Sequence, residues 1–402
     1  MFFVLLLVAM GWATIYSTTL AEENANIFDT SKLYGKQLLW IGMGFFLVVL
    51  VLAVEAKFYQ RFASIIYILA LLTLLGLPFL GKTIAGQTAW YSFGSFSVQP
   101  AEFVKAAVAL AIAKYLTGIN VNLKNFKNQL QVLVLMVLPM ALIMLQPDAG
   151  SALIYAAFII PLYREGLPGF YLVIGALIVT IFLTSIKFGA FYVSGTIFTI
   201  ALLLLYIKRK SKPNYFLFIA VAAISIAFSF STKLIFEKVL QPHHKDRFEL
   251  ILGMKSDPQG AEYNIYHSKV AIGSGGFSGK GWLKGTQTTG RYVPEQHTDY
   301  IFSAVGEEWG FLGSSIVIVL FCALMLRLWY LAERQKTVFN RIYGYSVVSI
   351  LFFHFFVNIG MVLGVFPTVG IPLPFFSYGG SGLWGMLILI FIFLKLDAKR
   401  MD

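Results

Sequence analysis

Apolar stretches of similar length, separated by short polar turns, run along most of the chain, and one long polar segment interrupts them. The stretches fall at 2–20, 37–54, 62–80, 100–116, 130–145, 149–163, 169–187, 190–206, 215–232, 313–332, 343–363 and 381–396. Most approach the ~20 residues a helix needs to cross hydrocarbon. They predict an all-α fold, a polytopic integral membrane helical bundle of about twelve spans. The interruption, 233–312, is rich in glycine and holds most of the ionisable side chains found outside short loops. A bilayer supports chemistry on a water-soluble head group only where polar groups reach its surface or a wet cavity. The polar segment is therefore the first place to look for function.

Composition narrows the class further. The chain is 58% hydrophobic and 12% charged, with mean hydropathy +0.77, far from the soluble average of about 25% charged residues. No Lys or Arg precedes Lys32, so the first stretch lacks the positive n-region of a secretory signal. The single cysteine, Cys322, lies in an apolar stretch, which excludes a disulfide framework, a thiol pair or a cysteine metal cluster.

Charge predicts the orientation. With a cytoplasmic N-terminus and alternating spans, the inner loops hold seventeen basic residues, from Lys57 to Arg400. They hold five acids: Glu55, Glu165, Glu333, Asp397 and Asp402. That inner net of +12 equals the net charge of the whole protein. The short outer loops carry only Lys32, Lys36, Lys82 and Lys187 as bases, and the long loop balances nine basic against nine acidic residues. Lys and Arg retained in cytoplasmic loops are the expected bias. Hence both termini face the cytoplasm, the 233–312 loop faces outward, and the high pI reports topology and implies no nucleic-acid partner. The expected location is the cytoplasmic (inner) membrane.

This topology gathers the unusual polar residues on the outer side. Glu102 and Lys105 follow Pro100, a residue suited to the first turn of a helix, and their i, i+3 spacing puts both on one face. They form either a self-neutralising ion pair or, as charged residues in a span commonly do, the lining of a wet cavity. Asp148, at the turn in LQPDAGSAL, either caps the next helix or faces the same cavity. GVFPTVGIPLPFFSYGGSG, 364–382, is too broken by Pro and Gly for regular helix, so it must be covered by protein or line water.

Within the long loop, the glycines of IGSGGFSGKGWLKG fail Walker spacing, with Ser274 at the first Gly position and Gly281 after Lys280. They read as sites of close backbone packing or ligand approach. His243 and His244 are adjacent and lack a zinc-ligand spacing. His297, beside Thr298 and Asp299, reads first as a helix-start or packing element, and Glu307 and Glu308 as the outer boundary of the next span. Asp257 precedes Pro258 in SDPQGAEYN, a turn that presents a carboxylate. On the sequence alone, a solvated turn aspartate is the commoner outcome.

Taken together, QPAEFVK, LQPDAGSAL, SDPQGAEYNIYHSKVAIGSGGFSGKGWLKGTQ, VPEQHTDYIFSAVGEEWGFLG and NIGMVLGVFPTVGIPLPFFSYGGSG resemble the SEDS family of shape, elongation, division and sporulation proteins. The likeness covers nearly the whole chain in the family's order. Asn358, Gly364, Pro367, Gly370, Ser377, Gly379, Gly380 and Ser381 fall at the family's spacing. GWLKGTQ, and Val369 where FtsW-type sequences commonly carry Lys, resemble the RodA branch. The resemblance implies a peptidoglycan glycosyltransferase that polymerises lipid II at the outer membrane face during elongation and shape maintenance. It implies work with a class B penicillin-binding protein, the transpeptidase, within the elongation machinery. The family's essential loop aspartate matches Asp257, its cavity pair matches Glu102 and Lys105, and its QPD aspartate matches Asp148. Lys269, His297, Asp299 and Ser377 stand in the matching motifs as further substrate or cavity candidates. Two departures stand out. Ala89 replaces the family's usual Arg before Trp, and the usual ten spans become twelve through an extra hairpin near 190–232, with a basic inner turn, IKRKSKP.

The chemistry is stated without the family. A sugar hydroxyl attacks an anomeric carbon and expels a lipid-linked pyrophosphate. A carboxylate acting as general base lowers that barrier, typically contributing about 10²–10⁴-fold, and a cation stabilises the leaving group. Asp257 is the candidate base, with Lys105 and Arg247 as candidates for pyrophosphate contact. No metal-ligand cluster or cofactor is evident, although a divalent cation (Mg or Mn) bridging carboxylates and pyrophosphate is compatible with these residues. Two other classes share the architecture, a lipid-linked precursor flippase and a non-catalytic scaffold for a penicillin-binding protein. A flippase calls for polar residues along a path to both faces, and a scaffold does not need the Asp257 carboxylate.

Overall fold

The computed structural model describes residues 1–20, 26–84, 86–94, 96–209, 215–239, 242–254 and 261–399. All twelve apolar stretches are helical. In order they give α1 (Phe2–Thr19), α2 (Leu33–Ala53), α3 (Ala56–Leu80), α4 (Pro100–Leu116), α5 (Phe126–Met144), then α6 (Ala149–Ile154) and α7 (Ile159–Arg164) joined by a 3₁₀ turn at Tyr155–Phe158. There follow α8 (Phe170–Phe188), α9 (Ala190–Lys208), α10 (Tyr215–Leu234), α11 (Pro242–Ile251), α12 (Ala261–Ser274), α13 (Thr286–Thr289), α14 (Ile301–Glu333), α15 (Val338–Val362) and α16 (Gly380–Ala398). Among the described residues ten helices are long and apolar enough to cross a membrane. The other two stretches fall short for physical reasons. The 17 residues of α4 carry two charges in the first turns, and Ala149–Arg164 changes hydrogen-bond pattern midway.

Between α3 and α4 the chain forms a small antiparallel meander, β1 (Lys82–Ile84), β2 (Gln87–Phe93) and β3 (Phe96–Val98). Tyr91 pairs with Val98, Ser92 with Ser97 and Phe93 with Phe96. Thr88, Trp90, Tyr91 and Phe93 are β-branched or aromatic residues of the kind that favour strands, and Gly94 ends the run. In the sequence this short meander is masked by the longer apolar stretches on either side.

The chain divides into two compact units, Met1–Pro168 with Asn264–Asp402, and Gly169–Tyr263. The boundary falls inside α12, so the long polar segment does not form one body. In the second unit α10 packs against both α8 and α9, and the Ser185 and Ser229 hydroxyls lie 2.8 Å apart.

In the first unit α4 packs against α3, α5, α15 and α16. Its run from Ala106 to Ala113 is wholly buried. Lipid gives helices no hydrophobic reason to associate, so small side chains that permit close backbone approach supply the packing. One end of this unit is closed by ion pairs: Arg164–Glu333 at 3.2 Å, Arg341–Glu165 at 2.8 Å and Arg334–Asp397 at 2.5 Å. These join the ends of α7, α14, α15 and α16.

The sequence reading places Glu307 and Glu308 at the boundary of a span beginning near 313, whereas both lie inside α14 and are buried. Gly310 breaks that helix with φ +63° and ψ −158°, a backbone state that glycine tolerates. The glycine-rich segment compensates the break. Lys280 and Gly281 N–H donate to the Glu307 and Glu308 carbonyls, both at 3.0 Å, and Phe311 and Leu312 N–H donate to the Gly276 and Phe277 carbonyls at 2.9 and 3.1 Å. The Glu307 carboxylate accepts from Gln287 N–H and Thr288 N–H, each at 2.8 Å, and from Lys280 Nζ at 2.7 Å. A buried charge with this many donors is stable. The glycines thus serve close backbone packing.

Candidate active site

Glu102 and Lys105 sit in the first turns of α4, 4% and 2% exposed, with Nζ and Oε2 2.8 Å apart. Both earlier alternatives hold in part, because the pair is self-neutralising and one member faces a cavity. That cavity, about 320 Å³, is lined by Glu102, His354, Gln99, Lys36, Trp90 and the 372–383 segment, and not by Lys105. The ammonium lies behind the wall, with His354 Nε2 2.9 Å away. His354, on α15, is a site residue that sequence reading missed. Its only signal was an isolated imidazole in an apolar stretch, which is commonly functional in a membrane. Glycine on α16 makes room for this arrangement, since a Cβ at Gly385 would stand 2.7 Å from the Glu102 carbonyl oxygen.

The irregular backbone runs over 363–379 and, contrary to the sequence expectation, 380–382 already belong to α16. This irregular segment forms much of the wall, and its polar backbone is largely satisfied by side chains that fold back on it. Asn358 Nδ2 donates to the Ile371 and Asp299 carbonyls, both at 2.8 Å. Ser377 Oγ accepts from Leu373 N–H at 2.8 Å and donates to the Thr298 carbonyl at 2.6 Å. Gly379 N–H donates to Gln37 Oε1 at 3.1 Å, and Tyr378 N–H to the His297 carbonyl at 2.9 Å. Irregular backbone at membrane depth is tolerated on these terms. Ser377 therefore lines the cavity while its hydroxyl holds the loop together.

Asp148 caps α6, its Oδ1 accepting from Ser151 N–H at 3.0 Å, and its Oδ2 accepts from Gln99 Nε2 at 2.9 Å. Burial raises the carboxyl above the ordinary carboxylate range, opposed by the Ser151 and Gln99 hydrogen bonds. The aspartate reaches the cavity only through Gln99. His297 packs its ring edge-on against Tyr378, and burial lowers its pKa, opposed by the nearby Glu295 carboxylate. The Asp299 carboxylate lies beside Gly370. Lys269 is exposed, its amine beside Gly364, and does not line the cavity. Arg247 belongs to α11 in the other unit. Asp257 lies outside the described residues. Among the described residues no group of three His, Cys, Asp or Glu side chains is placed to hold a metal ion. Ala89, where the resemblance leads one to expect Arg, is fully buried in β2. The cation on the cavity wall is Lys36, in the first turn of α2.

A larger apolar groove, about 920 Å³, lies wholly within the second unit between α8, α9 and α10. Thr184 and Thr196 on its wall donate to carbonyls of their own helices, and among the described residues its lining carries no carboxylate, amine or imidazole. It does not compete as a site of chemistry.

Comparison with known proteins gives a consistent result. The profile of a family described as cell cycle protein, covering FtsW, RodA and SpoVE, matches residues 1–195 and 171–402. The peptidoglycan glycosyltransferase RodA of Treponema pallidum is 32% identical over 99% of this chain and 96% of its own length. The peptidoglycan glycosyltransferase MrdB of Escherichia coli K12 is 33% identical over 90% of this chain and 84% of its own. A solved structure from a peptidoglycan synthase complex that coordinates polymerization and crosslinking matches with a TM-score of 0.71 at 25% identity, covering 100% of this chain and 97% of that one. The crystal structure of Thermus thermophilus rod shape determining protein RodA shares the fold, with a TM-score of 0.65 at 24% identity and coverage of 100% and 96%. The chain belongs to the FtsW, RodA and SpoVE family of cell cycle proteins.

Proposed function

We infer that this chain is a peptidoglycan glycosyltransferase of the RodA type, polymerising lipid II at the outer face of the cytoplasmic membrane during elongation. Its near full-length likeness to relatives bearing that name supports the activity. The carrying observation in the molecule is a buried carboxylate, Glu102, neutralised from behind and presented to a cavity at one end of a helical bundle. Beyond Glu102 the α4 wall is closed by buried Ala, Val, Leu and Ile, which favours chemistry at one face over passage through the bilayer. The likeness to a component of a peptidoglycan synthase complex supports a class B penicillin-binding protein as partner, and makes a purely scaffolding role the weaker reading. Polymer formed from lipid II by the purified protein, alone and with such a partner, tests the proposal. No polymer under either condition would sink it.

Lys105 is held behind Glu102 and His354, so the pyrophosphate contact passes in this reading to Lys36, which lines the cavity and has no ion pair among the described residues. Lys36→Met is expected to weaken lipid II binding by about tenfold or more, the scale of one hydrogen bond to a charged group. Lys36→Arg should recover most of it. Unchanged binding by Lys36→Met would move the contact elsewhere.

The orientation is proposed from the charge partition. In a Cys322→Ser background, Lys210→Cys should label only from the cytoplasmic side and Lys284→Cys only from outside. Labelling of both from one side would end the twelve-span arrangement with its 190–232 hairpin.

A further inference from the structure

Two side chains that line the cavity, Glu102 and His354, are bridged by one that does not. Lys105 Nζ lies 2.8 Å from Glu102 Oε2 and 2.9 Å from His354 Nε2. All three side chains are buried. Lys105 donates to the Glu102 carboxylate as an ammonium, which has donors and no acceptor, so His354 Nε2 is the acceptor. That assignment fixes the neutral tautomer with its proton on Nδ1, which faces the Pro372 carbonyl at 3.3 Å. Pro372 belongs to the broken segment that walls the cavity. The imidazole thus ties a charge on α4 to the irregular backbone 363–379.

We propose that His354 is a positioning residue: it locks the Lys105 ammonium behind Glu102, and so holds an ionised Glu102 carboxylate facing the cavity as an acceptor for sugar hydroxyl and acetamido N–H groups. The proposal rests on the transferase reading of this cavity and adds to it the division of its wall. A carboxylate repels pyrophosphate, so the saccharide belongs beside Glu102 and His354 and the anion beside Lys36, all of which line the cavity. Lysine carries its charge on a flexible four-carbon stem. Glu102 alone leaves that stem one anchor, and His354 supplies the second without adding a charge.

The test compares His354→Leu, His354→Gln, Lys105→Met and the double variant Lys105→Met/His354→Leu with the parent, reading lipid II polymerisation and thermal unfolding. Glutamine keeps both functions of the imidazole, since its carbonyl oxygen accepts from Lys105 and its amide donates to Pro372. His354→Leu is expected to lose about tenfold or more in polymerisation rate, the scale of a lost hydrogen bond to a charged group. His354→Gln should restore most of that loss. In the double variant His354→Leu should add nothing to the loss already caused by Lys105→Met, and the two should be non-additive in unfolding temperature. Full activity in His354→Leu, a folded but inactive His354→Gln, or additive losses would overturn the proposal. If His354→Leu does not fold, the Gln variant decides alone. A parent that makes no polymer while the unfolding data still couple Lys105 to His354 would instead reject the transferase reading and leave the link standing.

Discussion

Asp257→Asn is expected to give a folded, membrane-inserted protein that binds lipid II and its partner but makes almost no glycan. The acceptor hydroxyl is a weak acid, and a general base must be ionised and within hydrogen-bond reach of it. Asparagine keeps the size and much of the hydrogen bonding and removes the basicity. The rate should fall by about 10²–10⁴-fold, the usual contribution of such a group. Asp299→Asn is the matched control on the same polar segment. The Asp299 backbone carbonyl accepts from Asn358 and its carboxylate rests beside Gly370, so its effect should be smaller. Polymerisation by both purified variants, with unfolding temperature measured alongside, decides the matter. Near-normal polymer from Asp257→Asn rejects the base assignment.

The helical architecture was legible because hydrocarbon thickness imposes a length on every span, and composition alone reports that length. The cavity was legible only in pieces. Glu102 and Lys105 announced themselves as charges in an apolar stretch, and i, i+3 spacing placed them together. No sequence rule could say which of the two faces the cavity, because that depends on how closely α16 approaches α4 at Gly385. Lys36 looked like one more boundary lysine until the Gln37–Gly379 hydrogen bond brought the start of α2 to the start of α16. Glu307 was misplaced for a related reason. Hydropathy marks a span's edge at its first charges, but five donors, including both Thr286 and Thr288 hydroxyls, draw this carboxylate inside the fold.

The second large effect is expected at the buried pair, and it should be asymmetric. Lys105 is 2% exposed and does not line the cavity, whereas Glu102 does. Glu102→Leu strands an ammonium in a closed, low-dielectric site with only the His354 acceptor beside it. Removing one partner of a buried pair costs about 3–5 kcal/mol, and this variant should sit at the upper end. Lys105→Met strands a carboxylate that can turn to water in the cavity, so it should destabilise less while still impairing polymerisation. The double variant Glu102→Leu/Lys105→Met removes both charges and leaves apolar side chains of similar volume. It should recover much of the lost stability without recovering activity, because the cavity has then lost its carboxylate. Denaturation and lipid II polymerisation of all three variants check each part separately. Harmless single substitutions would show that neither buried charge depends on the other, and an active double variant would remove Glu102 from the site.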